Sequence, residues 1–190
     1  MRVFVALDIP DDVRAAIGAL IASLRSLCRA ARWVRIEGLH VTLKFIGEVQ
    51  PEKIEPIKAS LSRIRQPVAL EMKFRNAGFF PNERRPRVFW VGIEAGAELS
   101  ALAAAIDESL EPIGIARDLR QFSPHLTLAR FNSPEGAALN HLREAISRAG
   151  PLEFGSSNAH EFHLYQSNLK PGGAEYTRLA TFLIAGGESQ

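Results

Sequence analysis

Two short segments of the sequence carry the same arrangement of chemically active residues. His40 and Thr42 stand in HVTLKFIG, and His125 and Thr127 stand in HLTLARF. Side chains alternate along a β-strand, so each histidine shares a face with its threonine, while apolar residues occupy the other face. Each segment therefore presents one titratable imidazole and one hydroxyl. Two such strands facing each other would form a cleft that holds a matched pair of these groups.

A pair of imidazoles on opposite walls suits a displacement at phosphorus. One group accepts a proton from the attacking water and another donates a proton to the departing alkoxide, and a single side chain cannot serve both opposed positions. Histidine suits either task because its unperturbed pKa is about 6.5. Thr42 and Thr127 would donate hydrogen bonds to the phosphoryl oxygens. The scheme needs no metal, and two histidines without nearby carboxylates make a poor magnesium or calcium site.

The repetition of the motif is the informative feature, because a single His-x-Thr on a strand is most often structural. A core position takes Val or Leu without the cost of burying a polar group, so packing explains two such motifs poorly. The two histidines are separated by close to half the chain, and a helical pattern precedes and follows each histidine strand. This arrangement suggests an ancient duplication into two similar lobes.

Composition indicates an ordinary folded chain and limits the kind of ligand. The 190 residues are 46% hydrophobic and 23% charged, with a net charge of +2. Such a balance permits anionic ligands, but it falls short of the basic excess of proteins that track along nucleic acid. Any nucleic-acid contact is therefore expected at an end or a short segment.

The sequence also argues against export and membrane insertion. The single Cys28 excludes an internal disulfide and a cysteine-based zinc site, which fits a reducing cytoplasm. The apolar run of MRVFVALDIP breaks at Asp8 and Pro10, too soon for a signal peptide. No stretch is long and apolar enough for a membrane span. A cytoplasmic monomer is expected, since no helix shows a spare apolar face.

The periodicity of apolar residues predicts the remaining elements. Four helices are predicted, at 11–27, from Pro51 to Pro67, at 98–110 and from Pro134 to 149. Besides the two histidine segments, strand patterns are predicted at 2–7, 33–36, 68–74, 87–93, 154–166 and 175–184. Residues 76–87 are predicted to form a long basic loop, and Lys170–Gly173 a hairpin turn.

With these flanks the chain resembles the 2H phosphoesterases, which are named for two His-x-Thr/Ser motifs. Among them it is most similar to the bacterial and archaeal RNA 2′,3′-cyclic phosphodiesterases, first described as 2′-5′ RNA ligases. The resemblance covers RVFVALDIP, WVRIEGLHVTLKFIGEV, RPRVFWVGI, FSPHLTLARF and LYQSNLKPGGAEY. It implies an α+β fold in which 1–190 form a single bilobal domain. Two pseudo-symmetric lobes would face a central cleft with antiparallel sheets, and helices would pack outside.

The activity implied by the resemblance is hydrolysis of RNA 2′,3′-cyclic phosphate ends to 2′-phosphomonoesters, without a metal, ATP or another cofactor. In the family the first histidine donates a proton to the departing 3′ oxygen and the second activates water, which makes His40 the donor and His125 the acceptor. The implied partners are RNA ends or short oligonucleotides that carry a 2′,3′-cyclic phosphate.

Two other functions fit the same cleft. Cleavage or ligation of a 2′-5′ linkage uses the same acid and base and would be the main task in one alternative. In the other, the cleft is a non-catalytic module that binds a nucleotide or an RNA end. The presence of both histidines and both threonines disfavours this module, since binding alone needs no paired proton-transfer groups. A pure binder would retain affinity and form no product.

Arg130 and Lys44 are further candidates for phosphate contact. Arg130 matches an arginine that the family often shows, but strict alternation sends it to the face opposite His125. Either a bulge or the strand end turns Arg130 into the cleft, or it braces the lobe from behind. Alternation places Lys44 on the same face of the strand as His40 and Thr42. It would therefore either reach the phosphate or be a solvated lysine at the rim of the cleft.

Aromatic and basic residues near the two motifs leave similar alternatives. Phe45 and Phe131 would either stack on a base or belong to the core. The basic loop with Arg84, Arg85 and Arg87 would either guide an RNA backbone or remain a solvated loop. Ser167 and Tyr176, in the C-terminal hairpin, are candidates to line the cleft.

Overall fold

A computed structural model of the chain describes residues 1–29, 31–65, 69–132, 136–170 and 173–184. Within these ranges it contains two antiparallel sheets and four α-helices, which confirms the α+β fold. Several predicted boundary residues lie outside the described ranges and stay predictions: Pro67, Val68, Pro134, Glu135, Pro171 and Gly172.

The strands form two antiparallel sheets that each hold one histidine segment. The first sheet contains β1 (Arg2–Asp8), β3 (His40–Glu48), β8 (Glu161–Lys170) and β9 (Gly173–Leu183), in the spatial order β3-β1-β8-β9. The second sheet contains β2 (Arg32–Trp33), β4 (Leu70–Phe80), β5 (Val88–Ala95), β6 (His125–Arg130) and β7 (Glu153–Ala159), in the order β2-β6-β5-β4-β7. Strand β3 pairs with β1, and β6 pairs with β5, in the same antiparallel sense.

The described part of the chain contains four α-helices, of which two cross between the lobes. They are α1 (Asp11–Arg25), α2 (Ile54–Leu61), α3 (Ala97–Leu110) and α4 (Ala137–Ala149). Helix α1 follows β1 but packs against β7 of the second sheet, and α3 follows β5 but packs against β3 of the first. The lobes are therefore not the two halves of the chain, because each sheet takes strands from both. No helix of the described ranges is long and apolar enough to cross a membrane.

Three strand predictions differ from the structure. The strand predicted at 33–36 is limited to Arg32–Trp33, because the chain turns into a short 3-10 helix at Ile36–Gly38. Strand β4 continues to Phe80, through residues predicted as loop, because a register shift at Asn76 (φ 59°) lets it resume pairing with β5. Asparagine tolerates this left-handed conformation better than most residues. The segment predicted as one strand at 154–166 is two, since the chain leaves the second sheet at His160 and enters the first.

Strand β3 contains two extra residues relative to its partner β1: Ile46, between Phe45 and Gly47, and Leu43, directly after the threonine of the motif. Thr42 pairs with Ala6 and Lys44 pairs with Val5, which leaves Leu43 between them without a partner in the ladder. Such a bulge reverses the face on which the following side chains lie. The alternation predicted from the sequence therefore holds only as far as Thr42.

Strand β6 contains the same irregularity at the corresponding place. Thr127 pairs with Trp90 and Ala129 pairs with Phe89, so Leu128 is the extra residue. Both histidine motifs thus end in a bulge one residue after the threonine. The pseudo-symmetry of the lobes extends to this detail.

The bulge in β3 buries Lys44, so the prediction of a rim lysine or phosphate ligand is wrong. The side chain is 2% exposed, and its Nζ lies 2.5 Å from Asp107 Oδ1 and 3.2 Å from Asp118 Oδ2. It also donates a hydrogen bond to the carbonyl oxygen of Ala116 at 2.8 Å. Lys44 therefore ties β3 to α3 and to the segment that leads towards β6.

The carboxylate of Asp107 depends on this lysine to stay ionised. Burial by itself raises the pKa of Asp107, but hydrogen bonds from Lys44 and from the backbone of Asp118 outweigh burial and hold that pKa below its ordinary value. A lowered carboxyl pKa stabilises the fold above the unfolded-state pKa, and this contribution is lost as pH falls through the folded-state pKa.

We expect Lys44→Met to lower the free energy of unfolding at neutral pH by about 3 kcal/mol, because it removes the buried cation of the pair and leaves Asp107 with only the half-exposed Arg117 and the backbone N–H of Asp118. The double variant Lys44→Met/Asp107→Leu should recover much of this loss, since removing both charges removes the desolvation cost. Urea denaturation measures both values. The control is Lys58→Met at an exposed pair with Glu55, which should cost less than about 1 kcal/mol. Equal effects of Lys44→Met and Lys58→Met would contradict the role given to Lys44.

Candidate active site

The two histidine strands open onto one cleft between the sheets. His40 and Thr42 line it from β3, and His125, Thr127 and Arg130 line it from β6, around a volume of about 630 Å³. The structure thus brings together all five residues that the sequence analysis selected. A phosphoryl group in this space would have an imidazole and a hydroxyl on each side.

The same hydrogen bond orients both imidazole rings. His40 Nδ1 lies 2.7 Å from the carbonyl oxygen of Gly38, and His125 Nδ1 lies 2.8 Å from the carbonyl oxygen of Ser123. A carbonyl oxygen can only accept, so Nδ1 carries the hydrogen in both rings. In the neutral rings Nε2 is therefore the free basic nitrogen. Each histidine uses one nitrogen for positioning and keeps the other for chemistry.

Aromatic contacts also restrain the two rings. The ring of Phe4 stacks on His40 with 4.6 Å between centroids, and Tyr176 meets His40 edge-on at 5.1 Å. His125 has one comparable neighbour among the described residues, Phe80, edge-on at 5.1 Å. His40 is therefore enclosed by aromatic rings to a greater degree than His125.

Burial has the largest effect on the pKa of His40. Desolvation lowers the pKa of its imidazole below the ordinary 6.5, and the nearby guanidinium groups of Arg14 and Arg130 act in the same direction. The hydrogen bond to Gly38 and the carboxylate of Asp8 oppose the shift by favouring the charged ring. The imidazolium form of His40 therefore releases its proton more readily than that of an exposed histidine.

Asp8, which the sequence analysis did not select, is held opposite His40 in the β1–β3 ladder. Tyr165 Oη donates a hydrogen bond to Asp8 Oδ1 at 2.6 Å, and the guanidinium of Arg178 donates to Oδ2. Burial and the bond to Asp8 raise the pKa of Tyr165 to about 12, so this hydroxyl remains a donor. These two hydrogen bonds hold the carboxylate of Asp8 in place beside His40.

The bulge in β6 decides between the two alternatives for Arg130. Because Leu128 is an extra residue, the strand places Arg130 on the cleft side rather than behind the lobe. The bulge in β3 does the same for Phe45, which is 48% exposed and lines the cleft, with the guanidinium of Arg2 4.9 Å from its ring centre. Phe131, by contrast, is buried and belongs to the core.

Sequence reasoning missed part of the lining. Ser167 and Tyr176 line the cleft as expected, but the Arg84–Arg87 loop does not. Four residues with no motif of their own also line it: Arg2, Phe4, Arg32 and Arg35. The pairing of β1 with β3 brings Arg2 and Phe4 to the cleft, and the pairing of β2 with β6 brings Arg32 there, with Arg35 three residues further on. No local pattern in the sequence encodes these pairings.

The described residues contain no group of three or more His, Cys, Asp or Glu side chains arranged to hold a metal ion. The groups on the cleft walls are imidazoles, hydroxyls and cationic side chains, and this set matches an anionic ligand.

Comparison with known proteins places the chain in a family. The LigT-like phosphoesterase family matches residues 7–90 and again residues 91–176, one match for each histidine motif. An RNA 2′,3′-cyclic phosphodiesterase of Archaeoglobus fulgidus is 35% identical over 96% of this chain and 99% of its own length. One from Methanothermobacter thermautotrophicus is 33% identical over 97% of this chain and 99% of its own.

Solved structures agree with these sequence matches. A protein of Thermus thermophilus superposes with a TM-score of 0.80 and 32% identity, covering 98% of this chain and 100% of its own. Escherichia coli LigT in complex with 3′-AMP superposes with a TM-score of 0.78 and 30% identity, covering 96% and 97%. The chain belongs to the LigT-like phosphoesterase family.

We expect Asp8→Asn to lower the pKa of His40 further, because the substitution removes a carboxylate that favours the imidazolium form. A titration of the imidazole carbon protons by NMR measures the pKa in both proteins. Asp12→Asn is the matched control, since this residue is exposed at the start of α1, and it should leave the pKa of His40 unchanged. A rise in the pKa of His40 in Asp8→Asn would show that Asp8 does not act through its charge.

Proposed function

We propose that this protein hydrolyses RNA ends that carry a 2′,3′-cyclic phosphate and leaves 2′-phosphomonoester ends. One observation carries the proposal: two imidazoles, each oriented by a backbone carbonyl through Nδ1, face the same cleft with a free Nε2. The relatives named RNA 2′,3′-cyclic phosphodiesterase, which align over nearly the whole chain, support the same activity.

In the proposed reaction His125 is the proton acceptor and His40 the proton donor. Nε2 of His125 takes a proton from a water molecule, whose oxygen forms a bond to phosphorus. The bond between phosphorus and the 3′ oxygen breaks, and the proton on Nε2 of His40 passes to that oxygen. Donation requires the imidazolium form of His40, which the lowered pKa of His40 makes a stronger acid but confines to lower pH.

Thr42, Thr127 and Arg130 are proposed to bind the phosphoryl oxygens. Negative charge grows on these oxygens as water attacks, so donors aimed at them stabilise the transition state more than the ground state. Arg130 offers a planar fork of donors, which suits two oxygens of one phosphate. In this assignment β3 and β6 each contribute one histidine and one threonine before the bulge. Strand β6 contributes one further cation, Arg130, after it.

The proposed partners are single RNA ends or short oligonucleotides with a 2′,3′-cyclic phosphate. We also propose that residues 1–190 act as one bilobal domain, as a monomer, in the cytoplasm. Sedimentation of the purified protein tests the monomer directly.

We expect His40→Ala and His125→Ala each to lower kcat at least about 100-fold on a short RNA with a 2′,3′-cyclic phosphate end, assayed in EDTA. Product identity is read alongside, and a 2′-phosphate is expected. His141→Ala, on the exposed surface of α4, is the control and should retain full activity. Loss of activity in EDTA would refute the metal-independent scheme. An inactive parent protein that still binds the RNA would instead identify a reader of RNA ends.

We expect Thr42→Ala and Thr127→Ala to lower kcat by about 10- to 1000-fold, the range seen when one oxyanion donor is removed. Thr→Ser at either position should restore most of the activity because the hydroxyl is kept. Thermal unfolding should change little in these variants, since both side chains line an open cleft. Normal turnover by either alanine variant would exclude that threonine from phosphate contact.

A further inference from the structure

A second groove continues from the cleft along the end of α1. It is lined by residues that lie between Ala22 and Arg35 in the sequence, including Arg25 and Arg29. Trp33, Val34 and Arg35 line both this groove and the cleft, so the two adjoin along this segment and are together called the depression. We call the part lined by Arg25 and Arg29 the outer groove.

Basic side chains line the whole depression, although the chain has a net charge of only +2. Arg2, Arg32, Arg130 and Lys170 line the cleft, Arg35 lies at the junction, and Arg25 and Arg29 line the outer groove. Within the described ranges no Asp or Glu lines either part. The cleft with the two histidines and the adjoining outer groove therefore form a path lined by cations and by no carboxylate of the described residues.

Most of these cations are not neutralised by neighbours. Lys170 and Arg35 are near Glu175, at 2.6 Å and 3.6 Å. No carboxylate of the described residues forms an ion pair with Arg25, Arg29 or Arg32, all of which are exposed. Arg25 also complements the negative end of α1, but Arg29 and Arg32 lie beyond that helix. The path therefore carries free positive charge that the fold does not use.

We infer that the outer groove binds the sugar-phosphate backbone of the RNA strand on the 5′ side of the reacting end. This inference rests on the proposed function, which places the terminal cyclic phosphate between the two histidines. A chain that ends there must leave the cleft, and its backbone carries one negative charge per nucleotide. Arginines bind such phosphates without regard to base sequence. The protein thus prefers an RNA strand over an isolated nucleotide.

The test compares a nucleoside 2′,3′-cyclic monophosphate with an RNA of about 12 nucleotides that has the same end. The monophosphate occupies only the cleft, whereas the RNA also reaches the outer groove. We expect the variant Arg25→Ser/Arg29→Ser to raise KM for the RNA about tenfold, as for two exposed charge contacts. Its kcat, and both constants for the monophosphate, should not change.

Salt dependence gives a second readout that separates phosphate contact from a general loss of stability. Loss of two contacts to a single strand should reduce the slope of log(kcat/KM) against log salt by about 1.4 for the RNA. Arg25→Lys/Arg29→Lys keeps the charges and should retain most of the preference for the RNA. The control Arg84→Ser/Arg85→Ser removes the same charge from an exposed loop that lines neither groove, and it should leave KM for the RNA unchanged.

Three outcomes would overturn the inference: equal constants for the RNA and the monophosphate in the parent protein, no effect of Arg25→Ser/Arg29→Ser, or an equal effect of the Arg84/Arg85 variant. Failure of the proposed function is distinguishable, because the monophosphate would then not be hydrolysed by any variant. In that case we would measure binding instead of KM. The ligand would be a fluorescent RNA of the same length that ends in a 2′-phosphate. A tenfold weaker binding by the Arg25/Arg29 variant alone would then support the outer groove.

Discussion

One extra residue in each histidine strand determines what the cleft contains. Leu43 and Leu128 interrupt the ladders directly after the two threonines. Before these bulges the strands send a histidine and a threonine into the cleft, and after them they send Phe45 and Arg130. Without the bulge in β3, Lys44 would enter the cleft and Asp107 would lose its buried cation. Bulges occur at sheet edges and beside active sites because they re-aim a side chain at little cost.

The bulge in β3 also keeps a buried, paired lysine apart from the exposed cations of the cleft. Lys44 is paired inside the protein with Asp107 and Asp118, where it ties β3 to α3. The exposed arginines of the cleft and the outer groove are left for a ligand. Among the described residues no carboxylate lines the cleft or the outer groove, although Glu175 pairs with Lys170 and Arg35, so a chain with almost no net charge presents a cationic path. Local charge distribution, and not total charge, makes this surface suitable for an anionic ligand.

The residues of the two motifs could be chosen from the sequence because their chemistry is repeated and local. His40, Thr42, His125 and Thr127 follow strict alternation, which holds up to each bulge. Arg130, Phe45 and Lys44 follow the bulges, so alternation misplaced Lys44 and left the other two undecided. Asp8 and Phe4 come from β1, and only the pairing of β1 with β3 reveals that they surround His40.

The sequence by itself determined the class of fold, the helices, the paired histidine strands and the resemblance to a family. These features depend on periodic patterns and on short repeated sequence motifs. Tertiary structure alone decided which sheet each strand joins and how α1 and α3 cross between the lobes. It also decided that both Nδ1 atoms meet backbone carbonyls, and that the arginines near α1 continue the cleft. Those features depend on contacts between residues far apart in the chain, which no local pattern encodes.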